Sequence, residues 1–243
     1  MISSTETIGL IGFTVVVLMD GYAAYWAFGI RRALAVRLYR NQALGIGFVS
    51  VAFAGFTFAI SVPLWYPVNN NPLFPPFLLF AFITMFYWVD ASIRAGRRSD
   101  PLLRDTFHWR LLRLPLWALI LVFPGVTIIS QLFALELYTM IVGYAVSLVF
   151  LIPTLSGALL LPVVATRSRD FTLRRHLQWF ALSAITPLLL VITYFILYAS
   201  GVYFSDTWFA LSSLINFVGG YFLYRSARSL VPLNKLTPNE TGP

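Results

Sequence analysis

Seven long windows without lysine or arginine constrain the fold of this chain more than any other feature of its sequence. They cover 8–30, 43–65, 73–93, 114–133, 137–165, 179–198 and 208–224. A helix needs roughly 20 mostly apolar residues to cross about 30 Å of hydrocarbon. Backbone groups in lipid must satisfy their hydrogen bonds internally, and windows of this length fit helices better than alternating barrel strands. The sequence therefore predicts an all-α integral membrane protein, a bundle of seven transmembrane helices.

The basic residues predict the orientation of this bundle. All 17 lysines and arginines follow the first, third, fifth or seventh window, and the four segments on the other side have none. Because basic residues concentrate in cytoplasmic loops, this pattern predicts an N-terminus outside and a C-terminus in the cytoplasm. We therefore expect a multi-pass protein of the cell membrane. A single seven-helix transmembrane domain is predicted over 1–226, followed by a short flexible cytoplasmic tail over 227–243.

Composition supports this interpretation and excludes several function classes. Apolar residues make up 59% of the chain and charged residues 11%, whereas a soluble domain carries about 25% charged residues. The net charge of +8 reflects the topology, and no basic domain stands off the membrane to bind nucleic acid. The chain has no cysteine, and His108 and His176 lack the spacing of metal ligands. With no phosphate-binding loop or nucleophile elbow either, we expect neither an enzyme nor a cofactor.

Asp20 is the first candidate for a functional site, since an acid at the middle of a membrane helix costs about 2.5 to 3.5 kcal/mol. It lies about 16 Å of helix before Arg31, near the predicted midplane, with no partner in its own helix. Asn216 is predicted at a similar depth, and the first and last helices of a seven-helix ring are often neighbours. A hydrogen bond between Asp20 and Asn216 would satisfy both groups. Such a pair either joins two helices or belongs to a ligand, proton or ion site.

Asp90 is the second acid within a window. It lies four positions before Arg94, so an ion pair within one helix is available. A structural role is the simpler interpretation of this pair, and a place in a ligand site or ion path is the alternative.

Three prolines are predicted to form a layer of kinks. Pro124, Pro153 and Pro187 lie about 16 to 21 Å of helix from the nearest inner arginine. Proline removes one helical hydrogen bond and exposes a carbonyl that neighbours or water must satisfy. Kinks at one depth would open a cavity facing Asp20 and Asn216. Prolines are also common in membrane helices generally, which leaves a purely structural role open.

Two short arginine-rich motifs give the chain a resemblance to a known class of proteins. Arg174-Arg-His-Leu-Gln-Trp179 leads into the sixth window, and Arg31-Arg-Ala-Leu follows the first. Together with length and topology, these motifs resemble the seven-helix sensor regions that precede prokaryotic signalling domains. The resemblance implies sensing of a membrane-borne or small outside signal, and it assigns no functional residue.

We therefore expect a sensor or receptor-like protein that binds a small or lipophilic ligand near Asp20 and Asn216. The segment after Tyr224 is too short for a signalling domain, so a signal would pass to a cytoplasmic or membrane protein partner through the arginine-rich inner face. The lipid bilayer is the other expected partner. Two alternatives stay open: a secondary transporter or ion or proton channel that uses Asp20, and an accessory subunit of a membrane complex.

Overall fold

The computed structural model describes residues 4–65, 74–99, 108–132, 155–200 and 206–231, and this part of the chain forms helices and no strand. A π-helical turn, Ser156–Leu160, leads directly into Leu161–Arg167, the shortest of the described helices. The prediction of an all-helical fold is confirmed for these residues. The helices are α1 (Ser4–Ala33), α2 (Arg37–Trp65), α3 (Phe74–Ser99), α4 (Trp109–Leu132), α5 (Leu161–Arg167), α6 (Phe171–Ala199) and α7 (Asp206–Arg228).

The helices follow the apolar windows of the sequence closely. The first, second, sixth and seventh windows lie wholly inside α1, α2, α6 and α7, and α3 and α4 cover nearly all of the third and fourth. The fifth window is described only from residue 155, where it forms the π-helical turn and α5. Helix α7 ends at Arg228, two residues beyond the predicted domain boundary, and most of the predicted tail lies outside the described residues.

Two of the described helical segments are long and apolar enough to cross a membrane. They are Thr7–Ala33 in α1 and Arg37–Ala59 in α2, and the segment Ser156–Arg167 is apolar but shorter. One face of α1 carries exposed apolar side chains three or four residues apart, which is the spacing of a helical stripe. This stripe consists of Ile8, Ile11, Val15, Leu18, Tyr22 and Tyr25.

The helices close into a ring. Helix α1 packs against α2 and α7, α2 against α3, α3 against α5, α5 against α6, and α6 against α7, while α4 packs on α3. The prediction that the first and last helices are neighbours is therefore confirmed. Close packing depends on glycines at two of these contacts: Gly12 faces Ser213 of α7, and Gly45 of α2 lies against the ring of Trp88 in α3. A side chain at either glycine would overlap its neighbour.

Candidate functional site

Asp20 lies on the face of α1 that packs against α7, and only 3% of the residue is exposed. Its Oδ1 atom has no hydrogen-bond partner among the described residues. A Cβ atom on Gly220 of α7 would lie 2.6 Å from this oxygen, so the carboxylate occupies space that a side chain at Gly220 would fill. A buried polar atom without a partner costs about 1 to 3 kcal/mol. Such an atom in a folded protein calls for an explanation, and function is one of the common ones.

The predicted hydrogen bond between Asp20 and Asn216 does not form in the described part of the chain. Asn216 is partly exposed, and Asp20 contacts Gly220 instead, one helical turn farther along α7. The depth of a residue was counted along its helix from the nearest arginine. Such a count determines neither how the helix is rotated nor how high it lies relative to a neighbouring helix. An error of one turn, about 5.4 Å, is enough to exchange Asn216 for Gly220.

Three helices meet at the Gly219-Gly220 pair of α7. Gly220 faces Asp20 of α1, and a Cβ atom on Gly219 would lie 3.0 Å from the Oγ1 atom of Thr186 in α6. Thr186 is buried, and its hydroxyl donates to the carbonyl of Leu182 at 3.4 Å. A buried carboxylate and a buried hydroxyl thus approach the same short stretch of α7, where the two glycines leave room for both.

The three prolines lie partly beyond what the structure describes. Pro124 lies within α4 and Pro187 within α6, and both helices continue through these positions. Pro153 lies outside the described residues. The cavity expected from a layer of proline kinks therefore stays a prediction.

Asp90 forms the ion pair with Arg94 that the sequence predicts, with 3.1 Å between Arg94 Nη2 and Asp90 Oδ2. Two further partners come from α4: Trp109 Nε1 donates to Asp90 Oδ1 at 2.7 Å, and Arg113 Nε lies 4.0 Å from the same oxygen. Asp90 and Trp109 are both buried. Because both carboxylate oxygens have partners and the contacts join α3 to α4, this arrangement favours the structural interpretation of Asp90.

A fully buried histidine forms a polar cluster that the sequence analysis did not predict. His176 of α6 lies just before the sixth window, and its Nε2 atom is 3.1 Å from Oε1 of Gln42 in α2. Its Nδ1 atom is 3.0 Å from the hydroxyl oxygen of Ser226 in α7. Ser92 of α3 donates to the same Gln42 oxygen at 3.4 Å. The cluster therefore ties four helices together.

The chemistry of this cluster fits a neutral imidazole. The Gln42 Oε1 atom is an acceptor, so His176 Nε2 donates to it. The Nδ1 atom lies 3.0 Å from the hydroxyl oxygen and 3.3 Å from the carbonyl oxygen of Ser226, and the Ser226 hydroxyl also donates to the His176 carbonyl at 3.0 Å. Burial disfavours the charged ring and lowers the pKa of His176 from 6.5 to about 4. In the sequence, the residues of the cluster are recognisable only as polar residues near the inner ends of apolar windows. Polar residues at a membrane surface have the same pattern, so the sequence does not distinguish the two.

Arginines and aromatic rings meet at the last turns of α7. The guanidinium carbon of Arg225 lies 4.7 Å from the ring centroid of Trp179 in α6, and Arg225 Nη1 donates to the hydroxyl of Tyr221 at 2.9 Å. Arg228 Nη1 donates to the hydroxyl of Tyr224 at 3.4 Å. These contacts hold the charge of Arg225 over aromatic faces and place Arg228 at the Tyr224 hydroxyl, near the predicted inner boundary.

Within the described ranges, no group of three or more histidine, cysteine or acidic residues could hold a metal ion. The chain matches no known protein family, no curated protein and no solved structure.

Proposed function

We propose that the chain is a seven-helix membrane receptor or sensor that binds a small or lipophilic ligand beside Asp20. The signal would pass through the arginine-rich inner face to a protein partner. The observation that carries this proposal is the Asp20 Oδ1 atom, which is buried between α1 and α7 and has no hydrogen-bond partner among the described residues. A ligand with a positive charge or a hydrogen-bond donor would supply the missing partner.

The contacts around Asp20 support a role for this site in relaying a signal. Asp20 and Thr186 both approach the Gly219-Gly220 pair, so a ligand that binds the carboxylate would act where α1, α6 and α7 meet. Packed helices have discrete arrangements and resist gradual deformation. Ligand binding at this level is therefore expected to change the packing of α7, whose last turns carry Arg225 and Arg228.

The apolar side chains on the outside of the described helices support seven membrane spans. In addition to the stripe on α1, where Leu18 is 67% exposed, large apolar residues are exposed on α4 and α6, including Leu111, Leu114 and Ile196. Faces of this kind are stable in lipid, whereas a soluble monomer rarely exposes extended apolar patches to water. Together with the one-sided arginines, they support an N-terminus outside and a C-terminus in the cytoplasm.

The topology can be tested directly because the chain has no cysteine. Single cysteines are introduced as Asn70→Cys on the predicted outer side and as Leu102→Cys or Leu236→Cys on the predicted inner side. An impermeant maleimide is expected to label the first in intact cells and the other two only after permeabilisation. Labelling of either inner position in intact cells would refute the proposed orientation.

The ligand site is tested with Asp20→Asn, which keeps the size of the side chain and replaces its carboxyl group with an amide. Lipophilic amines and alcohols are screened for compounds that raise the Tm of the full chain in detergent. Such compounds are expected to lose their effect on Asp20→Asn and to keep it on Thr14→Val. Thr14 is a suitable control because it is exposed on the same helix and its hydroxyl donates to the Leu10 carbonyl one turn earlier, at 2.9 Å. An unchanged effect on Asp20→Asn removes Asp20 from the site, and a screen without any effective compound counts against ligand binding.

A proton or ion pathway is the second candidate function. It is favoured because the Asp20 Oδ1 atom, which has no partner among the described residues, and the Thr186 hydroxyl approach adjacent glycines of α7, Gly220 and Gly219. Flux into proteoliposomes that Asp20→Asn abolishes would support transport over sensing. The third reading, an accessory subunit, predicts stable co-purifying chains in mild detergent.

A further inference from the structure

We propose that the inner ends of α6 and α7 bind the phosphate headgroup of an anionic phospholipid, with Arg225 as the main phosphate ligand. The proposal rests on the membrane orientation proposed above and is independent of the Asp20 site. It is argued from the position of Arg225 on an aromatic platform, from the charges around it and from the aromatic residues beside it.

Arg225 is held in place without being neutralised. Its guanidinium carbon lies 4.7 Å from the ring centroid of Trp179 and 5.8 Å from that of Tyr221. One nitrogen, Nη1, donates to the Tyr221 hydroxyl. Arginine has five N–H donors, and a guanidinium stacked on a ring keeps its edge available for a phosphate. No acidic residue in the described segments pairs with Arg225.

Other arginines at the inner ends of the helices differ from Arg225 in this respect. Arg94 and Arg113 both approach the Asp90 carboxylate. Arg174 donates through Nε and Nη2 to the Ser168 carbonyl, at 3.1 and 2.6 Å. These three arginines use their donors inside the protein, whereas Arg225 presents a positioned charge that is free to bind an anion.

A second cation lies on the same face of α7. Arg228 follows Arg225 by three residues, a spacing that places two side chains next to each other on a helix. Arg228 donates to the Tyr224 hydroxyl, and the Tyr224 ring packs against Tyr22 and Trp26 of α1 at centroid distances of 5.4 and 5.9 Å. The arginine pair is therefore bordered by aromatic rings from both α1 and α6.

The neighbouring aromatics favour a lipid over an acidic protein as the source of the anion. Tyr22 and Tyr221 are exposed, and Tyr22 belongs to the apolar stripe of α1. Tyrosine and tryptophan concentrate at the level of lipid headgroups, where an apolar ring and a polar edge are both satisfied, and this fits Tyr221 beside Arg225. Tyr22, two residues from Asp20, would lie deeper, at the level of the acyl chains. An anionic phospholipid would place its phosphate on Arg225 and Arg228 and its upper acyl chain against these exposed rings.

The test compares binding of dioleoylphosphatidylglycerol and dioleoylphosphatidylcholine to the full chain in an uncharged detergent, measured by native mass spectrometry. The chain is expected to retain phosphatidylglycerol more tightly. Arg225→Gln is expected to weaken this binding about fivefold or more, since one basic residue near an anionic surface contributes on the order of a factor of five. Arg225→Lys keeps the charge but loses the planar stacking geometry, so it is expected to weaken binding as well. Arg40→Gln, at an exposed arginine of α2, is the matched control.

Four results would overturn the proposal. Equal losses for Arg40→Gln and Arg225→Gln would indicate diffuse attraction to charge, and full affinity of Arg225→Lys would exclude the stacked geometry. Equal binding of the two lipids, or Arg225-dependent capture of an acidic protein with no lipid preference, would exclude an anionic lipid. Far-UV circular dichroism checks the fold of each variant, and Trp179→Phe, which weakens the platform and keeps a ring, replaces Arg225→Gln if that variant unfolds. Asp20→Asn is expected to leave lipid binding unchanged, so this proposal and the ligand proposal can fail separately.

Discussion

Replacing Trp109 with phenylalanine isolates the contribution of one buried hydrogen bond between α3 and α4. In the structure Trp109 Nε1 donates to Asp90 Oδ1 at 2.7 Å, and both residues are almost fully buried. Phenylalanine keeps an aromatic ring against Phe86, whose centroid is 6.0 Å from that of Trp109. It removes the only N–H group of the side chain, which leaves Asp90 Oδ1 with the more distant Arg113 alone.

The expected loss of stability is the sum of two effects. A hydrogen bond to a charged group contributes about 1.5 to 3 kcal/mol, and the smaller ring leaves a gap that costs on the order of 1 kcal/mol. We therefore expect Trp109→Phe to lower the free energy of unfolding by about 2.5 to 4 kcal/mol. For a chain of this size, that corresponds to a decrease in Tm of roughly 5 to 16 °C.

The assay is thermal unfolding of the detergent-solubilised chain, followed by far-UV circular dichroism. Trp117→Phe is the matched control, because Trp117 lies on the same helix and packs on Phe86 at 4.8 Å but makes no hydrogen bond with Asp90. A decrease in Tm for Trp109→Phe no larger than that for Trp117→Phe would refute the argument. A double-mutant cycle with Asp90→Asn should show that the two substitutions are not additive.

Three further predictions concern packing, protonation and helix capping. Gly45→Ala is expected to destabilise the fold by about 1 to 3 kcal/mol by overlap with Trp88, whereas Gly29→Ala, which meets nothing within 4 Å, should be neutral or stabilising in the same melting assay. The pKa of His176 is lowered from 6.5 to about 4 by burial, so the unfolded chain takes up the proton first as the pH falls. The free energy of unfolding should therefore decrease between about pH 6.5 and 4, by up to about 3 kcal/mol relative to His176→Gln, and equal pH profiles for the two proteins would contradict this. Asp170 caps α6 by accepting from the amides of Thr172 and Leu173, so Asp170→Ala should lower the free energy of unfolding by about 1 to 2 kcal/mol. Asp170→Asn should lower it clearly less, because asparagine also caps helices. Chemical denaturation in mixed micelles would measure the difference.

Features that depend on residues close together along the chain could be predicted from the sequence. The apolar windows locate the described helices because about 20 apolar residues in a row leave few other structures. The ion pair between Asp90 and Arg94 follows from their spacing of one helical turn. The cap of α6 is equally local, since the amides of Thr172 and Leu173 donate to the Oδ1 atom of Asp170 at 2.9 and 3.1 Å.

Features that depend on the rotation of one helix against another could not be predicted. The sequence does not indicate that Trp109 reaches Asp90 or that His176 reaches Gln42, because apolar residues surround these helices on nearly every side and define no unique inner face. The same uncertainty explains the position of Asp20. The last helix was expected to supply the neighbour of Asp20, but the residue that Asp20 contacts there is Gly220, one turn from the expected Asn216.

Gln42 leaves the ribosome long before the histidine that donates to it. It precedes His176 by 134 residues, and Ser226, which bonds His176, follows after another 50. At a synthesis rate of about 5 to 20 residues per second, roughly 7 to 30 s pass before α6 exists. During this interval Ser92 of α3 can already donate to Gln42 Oε1, but the bond from His176 has no counterpart yet. A stalled product that ends before α6 therefore keeps the Ser92 bond and lacks the His176 donor, and this difference distinguishes it chemically from the finished protein.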